Sequence, residues 1–207
     1  MMTRAEETHV IRAVLDGDLD RFEELVHAYE KGIYNLCLRM LGDEQDALDA
    51  TQEAFFKAFR ALSSFRGDSR FSTWLYRLAG NVCLDMLRRR PAVPTLSMDD
   101  DDAPLFLADD SPSPEDLLER REIHRAVSDA LAAMPPEFRQ AVVLRDVNGL
   151  SYEEIADVTG LEAGTVKSRI YRARKKLAAV LLAGGNFSVP QTSKHAGKQR
   201  GKGGANA

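Results

Sequence analysis

The sequence contains few of the residues from which metal sites, disulfide frameworks and β-sheets are built. It has two cysteines, Cys37 and Cys83, each within an apolar helical pattern and without a CxxC spacing. Its four histidines are scattered, so no pair has the spacing of metal ligands. We therefore predict two reduced core thiols and no metal site. Aromatic residues make up only 7% and β-branched runs are scarce, which disfavours an all-β fold.

Long hydrophobic runs are also missing. No segment approaches the ~18 consecutive apolar residues that a membrane span needs, and the N-terminus lacks the apolar stretch of a signal peptide. We therefore expect a soluble, cytoplasmic protein without membrane insertion.

Signatures of catalysis are the third absence. The sequence contains no Gly-rich phosphate loop, no cluster of metal ligands and no nucleophile–base pattern. It therefore predicts no catalytic residue and no cofactor, and an enzyme is the weakest of the functions that we weigh.

Strong charge segregation is present beneath a formal net charge of only −4. Residues 91–118 hold eight acidic and no basic side chains, whereas residues 184–207 hold four basic and no acidic ones. Five prolines within 91–116 and the run of four aspartates from Asp99 prevent a packed helix there. We predict an all-α fold of two small helical domains, residues 1–90 and 117–183, joined by a flexible acidic linker, residues 91–116, and followed by a disordered basic tail, residues 184–207.

Apolar residues recur with a period near 3.6 throughout the first domain, as in amphipathic helices. One predicted helix runs from about Glu44 to Leu62, and the next from about Ser72 to the residue before Pro91. The apolar residues that we expect to face inward are Leu48, Thr51, Phe55, Phe59 and Leu62 on the former, and Leu75, Leu78, Val82 and Met86 on the latter.

The second domain carries the pattern of a helix-turn-helix. Ser151 and Glu154 form a predicted capping box ahead of an apolar run. Gly160 ends that short helix, because glycine tolerates the positive φ of a tight exit. A longer helix begins near Gly164, and Val166 opens the stripe that continues through Ile170, Ala173 and Leu177 toward the core.

The exposed side of that longer helix is basic. Residues 163–182 include six basic residues and no acidic one. A helix that needed only solubility would mix charges and form Glu–Lys pairs. An all-basic face suits the phosphate-lined major groove, although a solvated basic face on a structural helix is the plainer alternative.

The stretch SYEEIADVTGLEAGTVKSRIYRARKKL, together with the preceding residues from Met134, resembles region four of extracytoplasmic-function sigma factors. The resemblance implies that the second helix reads the minus-thirty-five promoter element. The matching positions for contacts with DNA are Thr165, Lys167, Ser168, Arg169, Arg172 and Lys176.

The polar side of the predicted helix 44–62 presents an exposed Phe56 among acids, which is typical of a partner surface but also of an ordinary solvated face. Residues 46–89 resemble region two of the same family almost without gaps. In that family an Asp-x-x-Gln-Glu pattern binds a coiled coil of RNA polymerase. Asp49, Gln52 and Glu53 occupy those positions here, and we add Phe56 to the polymerase-binding set.

The segment after this helix, residues 65–69, contains a glycine that permits a tight loop and an arginine that suits a phosphate. Opening DNA requires a pocket that catches an unstacked base. The resemblance implies that this loop and an asparagine on the next helix hold a base of the minus-ten element. Trp74 either stacks on DNA or packs inside the domain. The predicted minus-ten contacts are Phe65, Arg66, Gly67, Asp68, Ser69, Trp74, Arg77 and Asn81.

The resemblance covers residues 8–182 and implies a sigma factor that binds core RNA polymerase and promoter DNA under the control of an anti-sigma factor. A stand-alone helix-turn-helix regulator is the alternative, but it leaves the first domain unexplained. The acidic linker is either a mimic of nucleic-acid charge inside the polymerase or a solubilising spacer. The basic tail adds non-specific DNA affinity or has no role.

Overall fold

The computed structural model describes residues 2–90 and 114–183, with side chains in the second segment from Glu122 onward. The predicted basic tail and the predicted linker up to residue 113 lie outside the described residues. The described residues form eight α-helices, short 3-10 turns and no strand, in agreement with the all-α prediction. The helices are α1 (Arg4–Leu15), α2 (Phe22–Leu41), α3 (Glu44–Ala61), α4 (Phe71–Arg89), α5 (Pro114–Ala132), α6 (Pro136–Asp146), α7 (Tyr152–Thr159) and α8 (Ala163–Ala183).

The first domain packs α2, α3 and α4 around a core to which α1 adds one side. Asp43 caps α3, because its side chain accepts a hydrogen bond from the backbone N–H of Asp46 at 2.7 Å. Cys37 and Cys83 are free and fully buried where α2 meets α4, so their predicted core position is confirmed. The hydrogen bond that Cys83 donates to Cys37, together with burial, raises the pKa of the Cys83 thiol. A buried thiol of this kind is unreactive.

The inward face of α3 differs from the predicted one. Leu48 and Phe59 are 43% and 39% exposed. The buried stripe consists instead of small residues together with Thr51 and Phe55. Alanines at the contact let the backbones of α2 and α4 approach closely, and this rotates the larger side chains to the edge of the helix. The alanines of the stripe are Ala47, Ala50, Ala54 and Ala58.

The second domain consists of α5 to α8, and its core joins that of the first domain. Helices α5 and α6 pack on α2, and α7 packs on α4. Gly80 of α4 leaves room for the Gln140 side chain of α6, since a Cβ at Gly80 would lie 2.1 Å from the side-chain nitrogen of Gln140. In the described conformation the two domains are therefore packed against each other.

Buried polar groups hold this domain interface. Arg139 is buried and donates to the backbone oxygens of Met40 in α2 and, at 2.7 Å, of Ala132 in α5. Burial lowers the pKa of this guanidinium. The Asn148 side chain donates to the backbone oxygen of Gly32 at 2.9 Å and to the hydroxyl of Tyr76 at 3.2 Å.

The revised face of α3 predicts a large loss of stability for one substitution and almost none for another. Ala54→Leu inserts bulk into the contact with α2 and α4 and should lower the free energy of unfolding by about 1–3 kcal/mol. Leu48→Ala removes an exposed side chain and should change it by less than about 0.5 kcal/mol. Urea unfolding followed by circular dichroism measures both. A large loss for Leu48→Ala with none for Ala54→Leu would restore the face predicted from the sequence.

Candidate functional site

The first candidate surface is the outer side of α3. Asp49, Gln52, Glu53 and Phe56 are all exposed there. Residues three, four and seven positions apart share one side of a helix, so the four side chains form one patch. The structure therefore brings together all four residues of the predicted polymerase-binding set.

The charged groups of this patch make only weak local pairs. Gln45 donates to a carboxylate oxygen of Asp49 at 3.3 Å, and Lys57 pairs with Glu53 at 3.3 Å. The guanidinium of Arg60 lies 5.5 Å from the ring centroid of Phe56. Exposed pairs of this kind contribute little stability. Both carboxylates therefore remain available to a basic partner.

An apolar ridge accompanies the carboxylates. The Phe56 side chain is 56% exposed, and Leu48, two turns before it on the same side, is also exposed. The apolar pattern of the sequence predicted Leu48 in the core, so Leu48 was missed as a surface residue. We call Leu48, Asp49, Gln52, Glu53 and Phe56 the α3 face.

The second candidate surface is the loop of residues 65–70, between α3 and α4. Its first residue, Phe65, packs against Phe71 and Trp74 with ring centroids 5.8 and 5.2 Å apart. Trp74 thus packs inside the domain in this conformation. Gly67 has a φ of +76°, which favours glycine and turns the chain sharply.

The predicted minus-ten residues divide into two groups. Arg66 and Asp68 at the tip of the loop are exposed, as is Asn81 on α4. Ser69 is half-buried, and its hydroxyl donates to the backbone oxygen of Arg70 at 3.4 Å. Arg77 lies one turn before Asn81 and donates to the backbone oxygen of Asp157 in α7. The packing of the second domain therefore occupies one of the predicted DNA contacts.

The third candidate surface is the helix-turn-helix of α7 and α8. Both hydrogen bonds of the predicted capping box are present: Ser151 N–H donates to the Glu154 carboxylate at 2.8 Å, and Glu154 N–H donates to the Ser151 hydroxyl at 3.1 Å. Gly160 ends α7 with a φ of +70°. Val166, Ile170 and Ala173 of α8 are buried, as predicted.

The predicted minus-thirty-five residues are not equally free. Thr165, Lys167, Ser168 and Arg172 are exposed. Arg169 is half-buried, with its guanidinium 5.9 Å from the ring centroid of Phe138. Lys176 donates from Nζ to the backbone oxygen of Ala133 at 3.0 Å.

Two residues on the outermost side of α8 were absent from the predicted contacts. Tyr171 is 69% exposed, and Lys175 is exposed next to it. Both lie opposite the buried stripe, so helical periodicity alone was sufficient to identify them. We call Thr165, Ser168, Tyr171, Arg172 and Lys175 the α8 face. Arg174 lies off this face and donates from Nε to Asp146 at 3.0 Å, and this hydrogen bond raises the pKa of Arg174.

Clusters of metal ligands and long apolar helices are both absent from the described part of the chain. No group of three histidines, cysteines or carboxylates in residues 2–90 and 114–183 could hold a metal ion. None of the helices found there is long and apolar enough to cross a membrane.

Comparisons with known proteins match both domains. The family model of Sigma-70 region 2 matches residues 25–92, and that of Sigma-70 region 4 matches residues 124–177. The RNA polymerase sigma-H factor of Pseudomonas aeruginosa is 42% identical over 188 residues, which cover 87% of this chain and 96% of that protein. The ECF RNA polymerase sigma-E factor of Escherichia coli K12 is 39% identical over 175 residues, or 81% of this chain and 90% of that protein.

A solved structure shares the arrangement of the helices. It is that of CnrH in complex with the cytosolic domain of CnrY. CnrH is 28% identical, with a TM-score of 0.65, over 86% of this chain and 97% of the CnrH chain. With both domains matched in order and the relatives covered almost end to end, the chain belongs to the extracytoplasmic-function (ECF) family of RNA polymerase sigma factors.

Proposed function

We propose that this ECF sigma factor binds core RNA polymerase through the α3 face, holds the minus-ten element with the 65–70 loop and Asn81, and reads the minus-thirty-five element with the α8 face. Sigma factors are not enzymes, and they direct polymerase to promoters. The observation that carries the assignment of sites is the α8 face. Its five side chains are exposed and project away from the hydrophobic core, and helix α8 contains no acidic residue.

The α3 face suits a partner that is basic around an apolar contact. Phe56 and Leu48 provide apolar area, and such anchors contribute most of the binding free energy at protein interfaces. Asp49 and Glu53 flank them, and their charge favours one orientation of a basic partner. The coiled coil of polymerase implied by the family resemblance is that partner.

The 65–70 loop suits the capture of a single base. Arg66 contributes a positive charge for a backbone phosphate, while Asp68 and Asn81 supply hydrogen-bonding groups for a base edge. Phe65 and Trp74 pack against each other and support the loop in the described conformation.

The α8 face suits the major groove of duplex DNA. Arg172 carries the bidentate donor that reads guanine, and Thr165 and Ser168 can contact either base edges or phosphates. Tyr171 adds an apolar ring and a hydroxyl, which fit a thymine methyl group and a phosphate oxygen. Helix α7 then lies across the DNA backbone, as the first helix of such motifs does.

The described conformation is closed with respect to DNA. Arg77 donates to α7, and α7 itself lies on α4. We propose that polymerase binding separates the domains, so that Arg77 becomes available and the two DNA-reading surfaces reach their separated elements. Two weak sites on one tether then bind together with high affinity.

An anti-sigma factor is the proposed regulator. The similar chain CnrH was solved in complex with the cytosolic domain of CnrY, which supports a protein partner for this chain as well. We propose a cytoplasmic location, because core polymerase and chromosomal DNA are found there in bacteria. No observation favours the stand-alone regulator, since the match to Sigma-70 region 2 then has no purpose.

Phe56→Ala tests the polymerase site. The loss of this anchor should weaken binding to core RNA polymerase by about 1–2 kcal/mol. Leu15→Ala is the matched control, because Leu15 is a similarly exposed apolar residue on α1. Titration of fluorescently labelled sigma factor with core polymerase measures both affinities. Equal affinities for the two variants would remove the α3 face from the interface.

Arg172→Ala tests the reading of the minus-thirty-five element. Holoenzyme with this variant should lose about 1–3 kcal/mol of its preference for a promoter over the same promoter with an altered minus-thirty-five element. Arg174→Ala is the control, since that neighbouring arginine is engaged by Asp146. The measurement is competition binding at fixed salt. An equal loss on both promoters would make Arg172 a phosphate contact.

A further inference from the structure

Helix α4 begins without a local cap. Arg70 precedes its first residue, and no side-chain cap is formed there. The nearby Ser69 hydroxyl is directed to the backbone oxygen of Arg70 instead. The first N–H groups of a helix have no intrahelical partner, so this end of α4 requires an acceptor from elsewhere.

Glu7 of α1 is that acceptor. Its carboxylate accepts a hydrogen bond from the backbone N–H of Phe71, the first residue of α4, at 3.3 Å. The other carboxylate oxygen accepts from the hydroxyl of Tyr29 in α2. Glu7 is only 3% exposed. A buried carboxylate is costly unless it is hydrogen-bonded, and the partial positive charge of a helix N-terminus stabilises it further.

Tyr29 keeps its proton in this arrangement. Burial and the hydrogen bond to Glu7 raise the pKa of the Tyr29 hydroxyl. The hydroxyl therefore remains a donor throughout the physiological range, and both oxygens of Glu7 stay engaged.

Arg4 contacts the same loop at its tip. Its guanidinium donates to the backbone oxygen of Gly67 at 2.9 Å. Arg4 and Glu7 are three positions apart and so lie on one side of α1. The start of α1 is itself fixed by a capping box, in which the backbone N–H of Thr3 donates to Glu6 at 2.7 Å.

We infer that α1 is a positioning element for the capture of the minus-ten base, with Arg4 holding the tip of the 65–70 loop and Glu7 holding its end at α4. This inference rests on the proposed role of the loop. This role requires no contact of either residue with DNA. They act by fixing the backbone that presents Arg66 and Asp68, so that less conformational entropy is lost when a base binds. Both residues lie before the match to Sigma-70 region 2, which begins at residue 25.

The test uses holoenzyme assembled from the full chain and bacterial core RNA polymerase. The probe is a single-stranded oligonucleotide whose minus-ten element has been selected by this holoenzyme from a random pool. It is compared with the same oligonucleotide in which the captured base is replaced. The readout is the dissociation constant of the oligonucleotide with the replaced base divided by that of the selected oligonucleotide. A high ratio means that the captured base is strongly preferred. A purely structural defect lowers the active fraction and leaves that ratio unchanged.

Arg4→Gln should lower the ratio by about five- to thirtyfold, the cost of fixing the backbone of one residue. Arg4→Lys retains a donor and should restore part of the ratio. Arg12→Gln, an exposed arginine at the other end of α1, is the matched control and should leave the ratio unchanged. Glu7→Gln should also lower the ratio. Because Arg4 is exposed, Arg4→Gln should leave the fold intact. It therefore tests the inference even if Glu7→Gln folds poorly.

Two reference variants distinguish a failure of the positioning role of α1 from a failure of the proposed role of the loop. Arg66→Ala and Asn81→Ala should each reduce the ratio if the loop and α4 capture the base. If they reduce it while Arg4→Gln behaves like Arg12→Gln, the positioning role of α1 is overturned and the proposed function stands. If neither reference variant changes the ratio, the proposed role of the loop fails, and the inference fails with it.

Discussion

The structure depends on the requirement that buried polar groups find partners. Glu7 links α1 to α4, Arg139 links α6 to α2, and Asn148 links the second domain to Gly32 and Tyr76. Each link joins residues far apart in sequence. An unsatisfied buried group costs about 1–3 kcal/mol, so these few contacts select the arrangement of helices that apolar packing alone leaves less defined.

The domain interface satisfies this requirement incompletely. Among the described residues, Arg139 Nε and Asn148 Oδ1 are buried without a hydrogen-bond partner in the protein. Both atoms lie at the contact between the domains and gain hydration when it opens. The two unpartnered atoms lower the cost of separating the domains, which supports the opening that we propose on polymerase binding. It is consistent with our proposal of a closed free form and two separated DNA contacts in the complex with polymerase.

The sequence predicted features whose signals are local. Ser151, Glu154 and Gly160 define the helix-turn-helix within ten residues, and the structure has the hydrogen bonds and turn that they imply. The predicted inward face of α3 was wrong at Leu48 and Phe59, because tight helix packing favours alanine whereas the apolar pattern gave weight to large side chains. The contacts of Arg4 with Gly67, Glu7 with Phe71 and Arg139 with Met40 were beyond prediction, since each joins residues 63 to 99 positions apart.

Promoter-directed transcription tests the central claim most directly. The purified protein is mixed with bacterial core RNA polymerase, the complex is isolated by gel filtration, and transcripts are mapped on fragmented genomic DNA from the organism that encodes this chain. We expect a stable complex and discrete start sites that core polymerase alone does not use, preceded by common minus-ten and minus-thirty-five elements. The absence of a complex, together with tight binding of the free protein to duplex DNA, would contradict the assignment and favour a stand-alone regulator.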